Sequence, residues 1–127
     1  MSASVQHQQL VRALINHFEN NLKFQIIAAA LPGFTPPLKL GSHIPDIVAR
    51  DQNGVLQLGE AELGQDLTSE QTAGQFRELS CRVMKQSYVP VPLHIIVFRQ
   101  DYQVLFSRLL YLGLLPKIGN RIKIWTV

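Results

Sequence analysis

Two short apolar runs, Ile44 to Arg50 and Val55 to Leu63, flank Asp51-Gln52-Asn53-Gly54 and carry acids where core packing would favour Val or Leu. The acids are Asp46, in Ile44-Pro45-Asp46, and Glu60 and Glu62, in Gly59-Glu60-Ala61-Glu62. Runs of this length around an Asn-Gly turn predict a β-hairpin. A carboxylate on a core-facing strand is unfavourable unless it is paired, hydrogen-bonded or bound to a cation. The hairpin must therefore be built so that these acids are compensated.

Its register decides whether they meet. Side chains alternate along a strand, so Glu60 and Glu62 share a face with Leu56 and Leu58, and Asp46 shares one with Ile44 and Val48. A two-residue Asn53-Gly54 turn would pair Asp46 with Ala61 and separate it from both glutamates. A three-residue loop, Gln52-Asn53-Gly54 with glycine left-handed, pairs Asp46 with Glu60, Ile44 with Glu62, Val48 with Leu58 and Arg50 with Leu56. The second register is preferred because it collects Val48, Leu56 and Leu58 on one buried face. That face then ends in three acids. Converged carboxylates raise one another's pKa unless a cation intervenes, and oxygen-only ligands suit Mg²⁺ or Mn²⁺. Glu19, on the first predicted helix, is a possible fourth member.

The rest of the chain frames this hairpin. Val5, Leu10, Val11, Leu14, Ile15 and Phe18 give Ser4–Asn20 the spacing of an amphipathic helix, stopped by Asn20-Asn21. Lys23–Leu31 is β-rich, and Pro36-Pro37 and Gly41 make 34–43 an extended connection. Thr68-Ser69-Glu70-Gln71 matches a capping box opening a helix to about Ser87, with Thr72, Phe76, Leu79 and Val83 as its stripe. Leu93–Phe98 is a strand apolar enough to be buried on both faces. Asp101 can cap an apolar helix over Tyr102–Leu112, and Arg121–Val127 closes the chain as a strand. The order α-β-β-β-α-β-α-β predicts an α/β fold with a mixed sheet, the hairpin antiparallel and the crossover strand parallel to a neighbour.

The 127 residues fit one compact domain, 1–127, and 46% hydrophobic with 17% charged residues is a globular composition. Seven of the nine acids lie between Asp46 and Glu78, so the ends of the chain are basic within a net charge of only +3. Cys81 is the only cysteine, which excludes an intramolecular disulfide and a thiolate metal cluster, and its spacing suggests a small core residue. His94, inside the apolar strand, reads as a core histidine. Met1–Gln9 has no apolar run of a secretory signal, and no stretch approaches the ~20 apolar residues of a bilayer span. A cytoplasmic protein with no membrane partner is expected. The near-continuous apolar surface of Val104 to Leu115 suggests a homodimer.

A helix, then Pro45-Asp46 opening a strand, a short hairpin, Glu60-Ala61-Glu62, a capped helix and a buried strand together resemble the PD-(D/E)xK nuclease superfamily. The resemblance spans roughly Val5–Phe98 and implies a restriction-endonuclease-like fold with Mg²⁺- or Mn²⁺-dependent hydrolysis of nucleic-acid phosphodiesters, DNA foremost. It implies that Asp46 and Glu60 bind the metal, with the carbonyl after Glu60 and the helix acid Glu19 as further ligands. Gln75 matches a helix that often donates a polar active-site residue. The position that is Lys in most members is Glu62 here, which would bind a second metal or orient water. Lys39, Arg77 and Lys85 are candidates to replace the missing positive charge. His43, one residue before Ile44, could contact phosphate or water, and Arg50 and Arg77, with Arg121 and Lys123, could touch the nucleic-acid backbone.

No phosphate-binding glycine loop, nucleophile elbow, H-E-x-x-H or dinucleotide fingerprint is present. Three functions are compatible with these residues. They are a metal-dependent nuclease, a catalytically impaired domain of the same fold that binds nucleic acid or protein, and a structural or regulatory domain with incidental acids.

Overall fold

The computed structural model describes residues 4–127, which form three α-helices and one five-stranded mixed sheet. The elements are α1 (Val5–Asn20), β1 (Gln25–Ala29), β2 (Ile47–Arg50), β3 (Leu56–Ala61), α2 (Glu70–Leu79), β4 (Leu93–Val97), α3 (Tyr102–Tyr111) and β5 (Ile122–Thr126). Strands lie in the order β1-β2-β3-β4-β5, with the first two pairings antiparallel and the last two parallel. The predicted element order and the mixed sheet are both present. Among the described residues no helix is long and apolar enough to cross a membrane.

The sheet is covered on both faces. Leu10, Leu14 and Phe18 of α1 pack with Ile47, Ala49, Ala61 and Ile96 on one side. On the other, Phe76 and Leu79 of α2 and Leu105 and Leu109 of α3 pack with Leu58, Leu93, Ile95 and Ile122. β4 lies between these layers and is buried at all five residues, as its unbroken apolar run requires. Gly59 lets α1 approach β3. A Cβ there would come within 2.9 Å of Leu14 and 3.0 Å of Ile47.

The hairpin has the register that gathers the acids. Val48 pairs with Leu58 and Arg50 with Leu56, and Asp51 N–H donates to the Val55 carbonyl at 2.9 Å. That leaves Gln52-Asn53-Gly54 as the loop, with Gly54 left-handed at φ +82. The Asp51 carboxylate accepts from the Asn53 and Val55 amides and ties the turn together. Regular pairing ends at Ile47 and Gly59. Asp46 and Ile44 therefore lie outside the ladder, Ile44 half exposed, and the expected pairings of Asp46 with Glu60 and of Ile44 with Glu62 do not form.

The end of α2, the placement of Cys81 and the capping of α3 differ from sequence expectation. Ser69 caps α2 through the Thr72 amide, and the helix ends at Leu79 rather than near Ser87. The chain turns there because Arg82–Met84 pairs back on Val89–Val91, with Met84 N to Val89 O at 2.8 Å and Val91 N to Arg82 O at 2.9 Å. Those tertiary bonds replace the helical ones that the Val83 periodicity suggested. Cys81 consequently lies past the helix, exposed beside the Lys117 ammonium, and is not a core residue. Asp101 makes no capping bond to α3, since a 3-10 turn over Arg99–Asp101 leads into that helix.

Candidate functional site

The acids gather at the end of the sheet where β3 finishes. A cavity of about 320 Å³ opens there between α1, the strand ends and the start of α2. Asp46, Glu60, Glu62 and Gln75 line it, so the structure brings together all four residues expected to act in chemistry. His7, Asp66 and Thr72 line it as well.

Each side chain is placed by its element. Asp46 precedes β2, and its backbone bonds to both neighbours: its N–H donates to the Gly59 carbonyl at 3.0 Å and its carbonyl accepts from Ala30 N at 2.8 Å. Its Oδ2 accepts the Ala61 amide at 2.9 Å and lies 3.2 Å from His7 Nε2. Glu60 and Glu62 project from alternate positions of the β3 end onto the face of Leu56 and Leu58. Both are buried, Glu60 to 2% exposure, and Glu60 Oε1 has no hydrogen-bond partner.

Burial sets the electrostatics. Desolvation, then the Asp46 and Glu62 charges, raise the Glu60 pKa well above the ordinary carboxyl range. Glu62 is pushed up to about 8 by burial and by Asp46 and Asp66, against opposing pulls from His7 and the Thr72 hydroxyl. The His7 pKa is raised mainly by its bond to Asp46, with burial opposing. Burial and convergence thus favour the protonated form of Glu60 and Glu62, and the bond to Asp46 favours the protonated form of His7.

The remaining expected site residues lie elsewhere. Glu19 is exposed, twelve residues along α1 from His7 and hence roughly 18 Å away at 1.5 Å per residue, so it does not join the acids. His43 turns toward α2, 3.9 Å from Glu78, because the Leu40–His43 bridge holds it there. Arg50 sits at the hairpin end of β2, opposite the acids, donating to the Gly54 carbonyl. Arg77 is exposed near the C-terminal end of α2, whereas Thr72 and Gln75, from the earlier turns, face the pocket. Lys39, Arg77 and Lys85 do not line the pocket, and the basic side chain beside the acids is His7.

His7 had a signal in the sequence. It continues the stripe Phe18, Leu14, Leu10 by one helical turn, so it is a polar residue on the face that α1 buries. Asp66 enters through the 3-10 turn Gly64–Asp66 that joins β3 to α2, a local conformation without a composition cue.

Among the described residues no group of three or more His, Cys, Asp or Glu side chains is arranged to hold a metal. The orphaned Glu60 oxygen beside Asp46 fits a smaller set, two carboxylates completed by water and substrate oxygens, as Mg²⁺ accepts. No protein-family model, curated protein or solved structure matches this chain.

Proposed function

We propose that the acid pocket is the centre of a Mg²⁺- or Mn²⁺-dependent nuclease-like protein of restriction-endonuclease-like fold that hydrolyses nucleic-acid phosphodiesters, with DNA as the first substrate to test. Glu60 carries the reading: a carboxyl group at 2% exposure, one oxygen unpartnered, beside a second carboxylate. An uncompensated group of this kind is destabilising, and a cation between Asp46 and Glu60 removes the penalty.

Asp46 and Glu60, with the carbonyl of Ala61, would hold the ion. When bound, such an ion polarises a phosphoryl oxygen and lowers the pKa of a coordinated water. Asp46 is oriented for this by the Ala61 amide and by His7. Glu62, whose pKa burial and the Asp46 and Asp66 charges push up to about 8 in the metal-free protein, would serve as proton donor or acceptor for a leaving oxygen or a water. Gln75 and Thr72 on α2 supply neutral polar groups to orient water or phosphate. The open site lies at the carboxyl ends of parallel β3 and β4, where ligands of open α/β sheets bind.

The second reading is a domain of this kind that binds nucleic acid or protein without cutting. It is favoured by Glu62, an acid where a positive nucleophile partner is expected. Homodimerisation through α3 belongs to either reading, since Val104, Leu110 and Tyr111 are exposed while Leu105 and Leu109 fill the core. A monomeric mass by light scattering at micromolar concentration would remove the dimer.

Plasmid, single-stranded and branched DNA incubated with Mn²⁺ or Mg²⁺ tests the function. Cleavage is expected, falling about 100-fold or more in Asp46→Asn and Glu60→Gln. Glu60→Gln mimics the protonated acid and keeps the apo fold. Calorimetric metal binding without cleavage selects the second reading. If neither metal binding nor cleavage occurs, the metal-dependent nuclease reading falls.

A further inference from the structure

A second cavity, of about 490 Å³, opens at the opposite end of the sheet beside the β2–β3 hairpin. Leu56 and Leu58 of β3, Val91 and Met84 give it an apolar lining. Arg50, Arg82 and Lys85 line the same space, and none of its lining residues is an acid. Among the described residues these three cations make no salt bridge. Arg50 donates only to the Gly54 carbonyl, at 3.0 Å.

Gathering like charges around an apolar surface is unfavourable in the absence of a counter-charge. Here the arrangement is also held in place. Arg82 and Met84 are pinned by the backbone bonds from Val91 N and to Val89 O, and the turn between them closes through Tyr88, a non-glycine residue at φ 60. Holding such a conformation in advance reduces the ordering that a ligand must impose. A cavity of this size, apolar with a few converging polar groups, has the character of a small-molecule site.

We propose that this cavity binds a small amphipathic anion. An aromatic or aliphatic body rests on Leu56, Leu58, Met84 and Val91, and a carboxylate, sulfonate or phosphate head meets Arg50, Arg82 and Lys85. Guanidinium groups pair planar oxyanions through two parallel N–H bonds, which favours a head with several equivalent oxygens. The site is separate from the acid pocket and stands whether or not that pocket cuts DNA.

Two fluorescent probes of one shape test it: 8-anilinonaphthalene-1-sulfonate and its uncharged counterpart N-phenyl-1-naphthylamine. The sulfonate is expected to bind saturably at one site and at least about tenfold more tightly than the neutral probe. Amide shift changes should centre on Leu56, Arg82–Ser87 and Val91. Reversing the rim with Arg82→Glu and Lys85→Glu should weaken the sulfonate about tenfold or more and the neutral probe less than about twofold. The Arg82→Lys, Lys85→Arg protein should retain sulfonate binding. Equal affinities of the two probes for the unmodified protein, absence of saturation, or shift changes located on α3 would each overturn the proposal. The probe comparison needs no variant, so misfolding of the reversed protein cannot mask the answer.

Discussion

His94 lies at 1% exposure inside β4, and its ring shows how this fold handles a polar group it cannot expose. Trp125 Nε1 is 2.9 Å from His94 Nδ1, and an indole nitrogen only donates. Nδ1 must therefore accept, so neutral His94 carries its proton on Nε2 and donates to Gln57 Oε1 at 2.7 Å. Gln57 Nε2 in turn donates to Asp51 Oδ2 at 3.2 Å. The chain of bonds crosses from β5 to the hairpin turn and satisfies every member. Burial holds the His94 pKa down to about 3, consistent with a neutral ring. Nitrogen shifts should show Nε2 protonated, and Nδ1-protonated histidine would refute the relay. Trp125→Phe removes the donor and leaves a buried acceptor, so a loss of about 1–3 kcal/mol by urea unfolding is expected.

Among the elements, α1 has two tasks that depend on one contact. Its stripe of Leu10, Leu14 and Phe18 covers the sheet, and the next turn carries His7 to Asp46. The close approach is made at Gly59, where a methyl group would overlap Leu14 and Ile47. Gly59→Ala should destabilise by about 1–3 kcal/mol through overpacking. It should also move His7 away from Asp46 and lower the His7 pKa toward its ordinary value, as read by proton NMR titration. An unchanged His7 titration in a folded Gly59→Ala protein would show that helix position does not govern that contact. The β2–β3 hairpin is the complementary case: its loop and the register of Val48 with Leu58 and Arg50 with Leu56 are local and were legible in the sequence. The ladder nonetheless stops before the expected pairs of Asp46 with Glu60 and of Ile44 with Glu62.

For the whole molecule, buried groups of opposite tendency set the dependence of stability on pH. Glu62, with a pKa near 8 against an ordinary 4.5, and Glu60, also raised, bind protons in the folded state that the unfolded chain has released. The Glu62 contribution is complete below about pH 4.5 and lost as pH climbs toward 8, and Glu60 acts in the same direction. The raised His7 acts in the same sense. His94 acts in reverse, with its contribution complete above 6.5 and lost as pH falls toward 3. The two tendencies oppose between about pH 4.5 and 6.5. Above that window the acids dominate, and apo stability should fall by about 1.4 kcal/mol per pH unit for each proton released. Urea midpoints from pH 4 to 9 in chelator check this, and Glu62→Gln should flatten the alkaline limb. A midpoint that rises from pH 6.5 to 8 would contradict the buried-acid description.

What the sequence determined by itself is what depends on near neighbours. The 3.6-residue stripe of α1, the alternation and left-handed Gly54 of the hairpin, and the apolar run of β4 specify their elements because each side chain's face follows from local geometry. Asp46, Glu60 and Glu62 could be grouped for that reason, by register alone, whereas Gln75 was suggested only by the family resemblance. Other features were decided by competition between contacts. The end of α2 at Leu79 follows from the short-range pairing of Arg82–Met84 with Val89–Val91, which wins over the helical periodicity running through Val83. His7 rather than Glu19 reaches the acids because packing on Gly59 decides which end of α1 lies over the strand ends. Arg50 faces away for the same reason its register was readable, since it occupies the other end of the strand that carries Asp46. Spacing along the chain assigns faces, but only the packed sheet assigns ends.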